Sequence, residues 1–402
     1  MTNRELFHAT MMRDNGDQLL HFEQAFNVPY KKWYQEGLPS YTVATSSGCP
    51  ELSEVENLYD YFNVTGWMFC MFDQFCIPAH EEKTIEVKGG RRTTINRNGN
   101  ILMWIDDAIY HNEDGTTRGS PPHEIEFSIK SMADYKANRY RYIGNIKQRI
   151  DDQWLKNNAV PYRDQNDFIT AIWVHGPYAF LRELLGTENA MIMPYEEPEM
   201  IEMILRDHLE TCIAASEVMI KTCKPDCSFV WEDCCGSSGP FISPNVFDQS
   251  FAWWYKEWKL YLTSIGVRWA ILDTDGDPSP LIKKWYESGI DCIHPWEVNG
   301  VDMLKFAEEY PQYVMMGGIY KHMFEPGDIS QVGRFKTTDV FREIDFELDR
   351  VLRPMRKRGG YFPSLDHAAN QSTSYAGYKY YCDCLTQKYG KANQVTRKFK
   401  KC

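Results

Sequence analysis

The chain has 402 residues, 43% apolar and 14% aromatic, with a net charge of −12. That supplies a core for one large domain or two ordinary ones. The acidic balance, with no basic stretch interleaved with aromatics, argues against nucleic acid or an anionic membrane as a partner.

The start, Met1-Thr2-Asn3-Arg4-Glu5, is polar and is not followed by an apolar run, so no secretory signal is expected. No uncharged apolar window approaches the length of a membrane span. The expectation is a soluble, cytoplasmic protein. Many of the twelve cysteines, such as Cys70, Cys76, Cys212 and Cys292, sit in apolar runs where a thiol is a small hydrophobe. A disulfide scaffold is not expected.

Residues 4–34 read as helical, with a break near Asn15-Gly16. Leu38 to Thr45 has strand character, Ser46-Ser47-Gly48-Cys49-Pro50 reads as a loop, and 51–62 as a short helix. From Thr84 to Asp106 the period falls to two, with Gly89-Gly90 and Asn98-Gly99 as turns. This predicts a small antiparallel meander, residues 80–110, that covers one end of the fold or makes an oligomer contact. Residues 107–130 read as loop. Ser131 then caps a helix, with Asp134 three residues on.

Phe168 to Trp173 is a buried strand that leads to His175-Gly176-Pro177. Glu196-Glu197-Pro198 opens a long amphipathic helix carrying Met200, Ile201, Ile204, Leu205 and Leu209. After it, short apolar runs alternate with helix-length segments, and each run ends in polar residues. Phe229-Val230-Trp231 leads into Glu232-Asp233, and Trp269-Ala270-Ile271-Leu272 into Asp273-Thr274-Asp275-Gly276. Ile290 to His294 leads into Pro295-Trp296-Glu297, Val314-Met315-Met316 into Gly317-Gly318, and Gly360-Tyr361-Phe362 into Asp366-His367. Helices are expected at Val301–Tyr310, Phe341–Lys357 and Tyr375–Lys388. The segment 391–402 reads as a basic tail.

Strand, helix, strand, with polar groups at the carboxyl ends of the strands, predicts an α/β fold: a (β/α)8 TIM barrel spanning residues 1–390 as one domain. In a parallel barrel those ends converge on one rim. The candidates for proton transfer there are Asp275, Glu232, Asp233, His175 and Asp273. The candidates for holding a metal are Glu297, His367 and Asp275, since carboxylates with a histidine can bind Zn²⁺ and keep one position open. The bland alternative for the Asp275 loop is a turn with Asp277 capping a helix before Pro278. His294 lies inside a strand, where packing or a hydrogen bond is the bland reading set against a role at the rim. Cys234-Cys235 and Cys382-x-Cys384 lack a second pair at ligand spacing.

These motifs resemble the uroporphyrinogen decarboxylase superfamily, which includes cobalamin-dependent methyltransferases. The matching pieces are His175-Gly176-Pro177-Tyr178, the Glu232-Asp233 strand end with Gly239-Pro240-Phe241-Ile242-Ser243-Pro244, Leu272-Asp273-Thr274-Asp275-Gly276, Gly289-Ile290-Asp291 to Pro295-Trp296-Glu297, Met316-Gly317-Gly318-Ile319, and Arg358-Gly359-Gly360-Tyr361 to Asp366-His367. The resemblance covers roughly residues 130–390. It implies a (β/α)8 barrel and, by analogy, a homodimer. The arginine-rich N-terminal signature of true decarboxylases is absent, and an acidic rim does not suit a substrate with many carboxylates. Asp273-Thr274-Asp275 stands where zinc-binding methyltransferases carry His-x-Cys.

The expected activity is methyl transfer between a small methylated compound or folate-like acceptor and a corrinoid, either on a partner protein or as free cobalamin. A decarboxylase or lyase on another carboxylated substrate is the alternative, and a non-catalytic binding scaffold is a third class.

Overall fold

The computed structural model describes residues 1–23, 30–39, 61–105, 110–111, 117–118, 122–160, 168–298, 300–324, 339–369 and 372–389. Most of the strand and all of the loop expected over 38–50, most of the helix at 51–62 and the tail at 391–402 lie outside the described residues. Strands are numbered in chain order. They are β1 (Trp67–Cys70), β2 (Lys83–Lys88), β3 (Arg91–Ile95), β4 (Ile101–Ile105), β5 (Tyr110–His111), β6 (Thr117–Arg118) and β7 (His123–Glu126). Then follow β8 (Ile169–His175), β9 (Cys227–Trp231), β10 (Cys235–Gly236), β11 (Gly239–Pro240), β12 (Trp269–Asp273), β13 (Cys292–His294), β14 (Val314–Met316) and β15 (Tyr361–Phe362).

Seven of them form one curled, parallel sheet in the order β1-β8-β9-β12-β13-β14-β15. Between them run helices such as Pro198–Cys223, Ala252–Ser264 and Val340–Arg358. Because helices cover the outside and side chains fill the inside, β8 is buried along nearly its whole length. At the open side, the Phe22 N–H donates to the Pro363 carbonyl (3.1 Å), and the Thr65 N–H donates to His21 (2.7 Å). Phe22 also bridges Thr65 in parallel fashion. One residue of pairing is not a strand, so the described sheet has seven strands rather than the expected eight.

Side chains alternate across a strand, and here the alternation separates two cores. Trp67, Ile169, Ala171, Cys227, Phe229, Ile271, Cys292 and Phe362 point inward. Met68, Ile172, Val174, Val230, Leu272 and Ile293 point outward beneath the helices. The helix Asn3–Met11 closes the amino-terminal end of the inner core with Leu6, Phe7 and Met11. Its start is fixed by a capping box between Thr2 and Glu5. Of the helical region expected over 4–34 with a break near Asn15-Gly16, Asn3–Met11 and Tyr30–Gln35 are helical, whereas Leu20 and Phe22 enter the inner core in non-helical chain.

The meander is present as a separate antiparallel sheet, β2-β3-β4-β7. Its Asn98-Gly99 turn forms as the sequence predicts, with Gly99 at φ +79° and the Asn96 side chain accepting from the N–H groups of Asn98 and Asn100. The fourth strand, β7, falls in a stretch that reads as loop. Its alternation, His-Glu-Ile-Glu, is too short and too exposed to stand out in sequence.

Candidate functional site

At the carboxyl ends of the parallel strands lies a cavity of about 350 Å³. Its apolar wall is Trp67, Phe69, Trp173, Phe229 and Trp231, and its polar wall is Asp233, Asp273, Thr274, Asp275, His294 and His367, with Ala368 beside them. Period two builds it. Phe229, Trp231 and Asp233 step inward from β9 and its end, and Ile271, Asp273 and Asp275 from β12 and its end.

Asp273 is the distinctive group. Its carboxyl makes no hydrogen bond or ion pair among the described residues. Burial first, then the neighbouring charges of Asp275 and Asp233, push it well above the usual carboxylate range. Asp275, two residues on, behaves oppositely. Burial pushes it up, but the contact with His367 and that ring's charge prevail, and it lies below the usual range. His367 Nε2 stands 3.4 Å from Asp275 Oδ2, and this contact, opposed by burial, raises the imidazole's pKa. Two carboxyls on one strand end are thus shifted in opposite directions, an arrangement suited to acid–base work.

Glu297, Asp275 and His367 come together as a triad. One ligand atom from each lies within 4.8 Å of the other two. Glu297 also accepts the Gly276 N–H (2.8 Å) and has Lys321 Nζ at 3.8 Å. Two carboxylate oxygens and one imidazole nitrogen match the number and type of donors at an open zinc site. A dication would replace the Asp275–His367 ion pair and displace the Lys321 ammonium, so the donor set fits.

The remaining candidates are placed as follows. Asp233 reaches the cavity but is held by Arg182, whose Nη1 donates to its side chain and to its carbonyl, each at 2.9 Å. The same guanidinium lies over Trp231, 5.1 Å from the ring centre. Glu232 is on the opposite face of the sheet, so the structure corrects its place at the rim. It is fully buried and accepts from the backbone N–H groups of Tyr178 (3.1 Å) and Ala179 (3.5 Å) and from the Tyr255 hydroxyl (2.5 Å). Burial pushes it up to about 7. His175 is inward but one ring removed from the cavity, edge-on to Trp173 (4.6 Å) and Trp231 (5.2 Å). Burial holds it neutral, down at about 3. Among the described residues it makes no contact with the acid cluster, and this too corrects the expectation.

His294, which reads as a packing residue, instead lines the cavity. Its Nδ1 lies 3.4 Å from the Met316 carbonyl, and burial brings it down to about 4. The aromatic wall and Arg182 also escape a reading that looks only at strand ends. The sequence carries the alternating series Phe229-x-Trp231-x-Asp233, but nothing in it says which way that series faces.

No protein-family model matches the chain, and no curated protein matches it in sequence. Among solved structures, a methyltransferase from Methanosarcina mazei superposes with a TM-score of 0.63 at 12% identity, covering 97% of this chain and 100% of that one. An endo-beta-N-acetylglucosaminidase from Cordyceps militaris gives a TM-score of 0.29 at 13% identity, over 58% of this chain and 74% of that one, which carries no argument. The first likeness extends over the whole fold and shows the fold alone: a curled parallel sheet with helices outside and a separate antiparallel sheet. Among the described residues no helix is long and apolar enough to cross a membrane.

Proposed function

We propose that this chain is a methyltransferase that moves a methyl group between a small methylated compound or folate-like acceptor and a corrinoid protein. On this reading it is a single (β/α)8 barrel domain of the uroporphyrinogen decarboxylase superfamily, with the extended chain at Phe22 in the eighth strand position. The observation that carries the proposal is Asp273, which has no hydrogen-bond partner among the described residues and is pushed well above the usual carboxylate range by burial, beside the Asp275–His367 pair in an aromatic-walled cavity. Cleaving a methyl–heteroatom bond changes the charge on the heteroatom. A carboxyl whose hold on a proton is strengthened by burial can exchange that proton in step with that change.

A corrinoid would supply the metal centre that takes or gives the methyl group. A corrin ring is far larger than the 350 Å³ cavity, so only the reacting methyl and its small carrier fit within, and the corrinoid stays at the mouth. Asp275, Glu297 and His367 would hold a zinc ion, a Lewis acid toward the substrate heteroatom. The aromatic wall excludes water and fixes the orientation of the small substrate. The lyase alternative is less well supported, because no lysine or arginine is among the described residues that line the cavity. A substrate with several carboxylates would meet three aspartates there.

The test is transfer of a labelled methyl group from methylated donors to added, reduced cobalamin, with metal content measured on the same protein. Transfer by the wild type, slowed about 100-fold in Asp273→Asn, is expected. About one zinc per chain, lost in a folded His367→Ala variant, would assign the triad its role. Release of carbon dioxide from a carboxylated compound without methyl transfer would replace this reading with the lyase one.

A further inference from the structure

The antiparallel sheet β2-β3-β4-β7 and the cavity meet through one helix, Pro177–Leu185, which carries Arg182. The amino-terminal end of this helix is held by Glu232, which accepts from the N–H groups of Tyr178 and Ala179. Arg182 lies one turn beyond Tyr178, and its Nη1 donates to both the carbonyl and the carboxylate of Asp233. Asp233 needs such a hold. Its φ of +44° lies in the left-handed region, uncommon outside glycine, and such a conformation persists where its surroundings fix it. The N–H groups of Glu232 (2.9 Å) and Asp233 (3.3 Å) both donate to the Asp273 carbonyl, which fixes this turn against the end of β12. The Arg182 guanidinium also lies over Trp231, and Trp173 stacks on the same ring at 5.9 Å.

The carboxyl end of the helix belongs to the antiparallel sheet. The Gly186 N–H donates to the Arg182 carbonyl (2.9 Å). Phe127, just past β7, packs so closely on Gly186 that a Cβ there would come within 2.3 Å of its ring. Asn100, just before β4, donates to the Glu183 carbonyl (3.3 Å). Glu124 of β7 accepts the Thr187 N–H (3.1 Å). The sheet therefore grips the chain directly after Arg182.

We propose that Arg182 is a positioning residue that fixes Trp231 and Asp233 relative to Asp273, and that the antiparallel sheet serves the cavity by holding the end of Arg182's helix. The effect of Arg182 on methyl transfer rests on the methyltransferase reading; the placement of Trp231 does not. Arg182 is not among the residues that line the cavity. Yet a misplacement of about 1 Å in a reacting geometry can cost on the order of 100-fold in rate, so a brace behind the wall governs the chemistry in front of it.

The experiment is fluorine NMR of the full chain labelled with 5-fluorotryptophan, the Trp231 signal being the one lost in Trp231→Phe. Arg182→Met keeps an unbranched side chain and removes the guanidinium, so the Trp231 signal is expected to shift or broaden. Phe127→Ala should move the same signal by less, through the helix end. Arg182→Lys keeps a charge for Asp233 but no planar group; it should shift Trp231 and retain methyl transfer within about threefold. The lysine variant also serves should the methionine variant fail to fold. Transfer rates give a second readout. Arg182→Met and Asp233→Asn should each lower kcat about tenfold, and the double variant also about tenfold, because both break one interaction. An unmoved Trp231 signal in folded Arg182→Met overturns the proposal, as does a double variant slowed by the product of the single effects. An unmoved signal in Phe127→Ala overturns the role given to the sheet. A moved signal without methyl transfer by the wild type would leave this inference standing and remove the methyltransferase reading. Methyl transfer with an unmoved signal would do the reverse.

Discussion

Adjacent carboxyl groups on the two faces of one sheet behave as different chemical objects here. Glu232 points outward under the helix Pro177–Leu185, where two backbone N–H groups at that helix's amino-terminal end and the Tyr255 hydroxyl surround it. Asp233 and Asp273 point inward, and Asp273 has no partner among the described residues. Both Glu232 and Asp273 are pushed up by burial, yet one is tied into the scaffold and the other is left available. A raised pKa therefore does not identify a reacting group; unused hydrogen-bonding capacity in a cavity does.

The sharpest way to break this contrast is to remove each group. Glu232→Ala strands three buried donors and should cost about 3 kcal/mol in urea unfolding, with little change in activity per folded molecule. Glu232→Gln should cost less and also change the pH dependence. The native carboxyl holds a proton that the unfolded chain releases near its ordinary value of 4.5. Stability therefore falls as pH rises from there toward about 7 and then levels, and the Gln variant should lack that slope. Asp273→Asn should do the opposite: methyl transfer about 100-fold slower, with stability unchanged or slightly higher.

Smaller effects sharpen the picture within the site. Asp275→Asn should change stability by less than about 1 kcal/mol, because the pair with His367 is more than a third exposed. By NMR, His367 should then titrate back toward 6.5. The pair's own contribution is present between the lowered pKa of Asp275 and the raised one of His367. It is lost as pH falls through the first or rises through the second. The smallest effect is expected for His175→Phe, which keeps the ring contacts with Trp173, Trp231 and Phe75 and removes a buried, unbonded Nδ1. Activity within about twofold of wild type would place His175 outside the chemistry. A loss as large as that of Asp273→Asn would return it there.

Much of this site was legible before the fold was known. Apolar runs that end in Asp-Thr-Asp-Gly, Trp-Glu or Asp-His mark strands with polar carboxyl ends, and parallel pairing must bring those ends together. Asp275, Glu297 and His367 meet for that reason, although they are far apart in sequence. The inward or outward direction was not legible. Strands covered on both faces are apolar throughout, so Trp231 and Asp233 could not be told from Val230 and Glu232 by hydrophobicity. The fourth meander strand and the Phe22 pairing were hidden for another reason: each is too short to show a period of its own.

What the sequence determined by itself is local. It sets the helix at Pro198–Cys223 through its amphipathic spacing, the hairpin at Asn98-Gly99 through a residue tolerant of positive φ, and the polar strand ends through composition. Only the tertiary structure decided the parity of each strand, because that depends on which face meets the helices. It likewise decided that Asp273 has no partner among the described residues while Glu232 has three. Hydrogen bonds between residues dozens of positions apart form only when the strands are in register, and no stretch of sequence contains both ends of them.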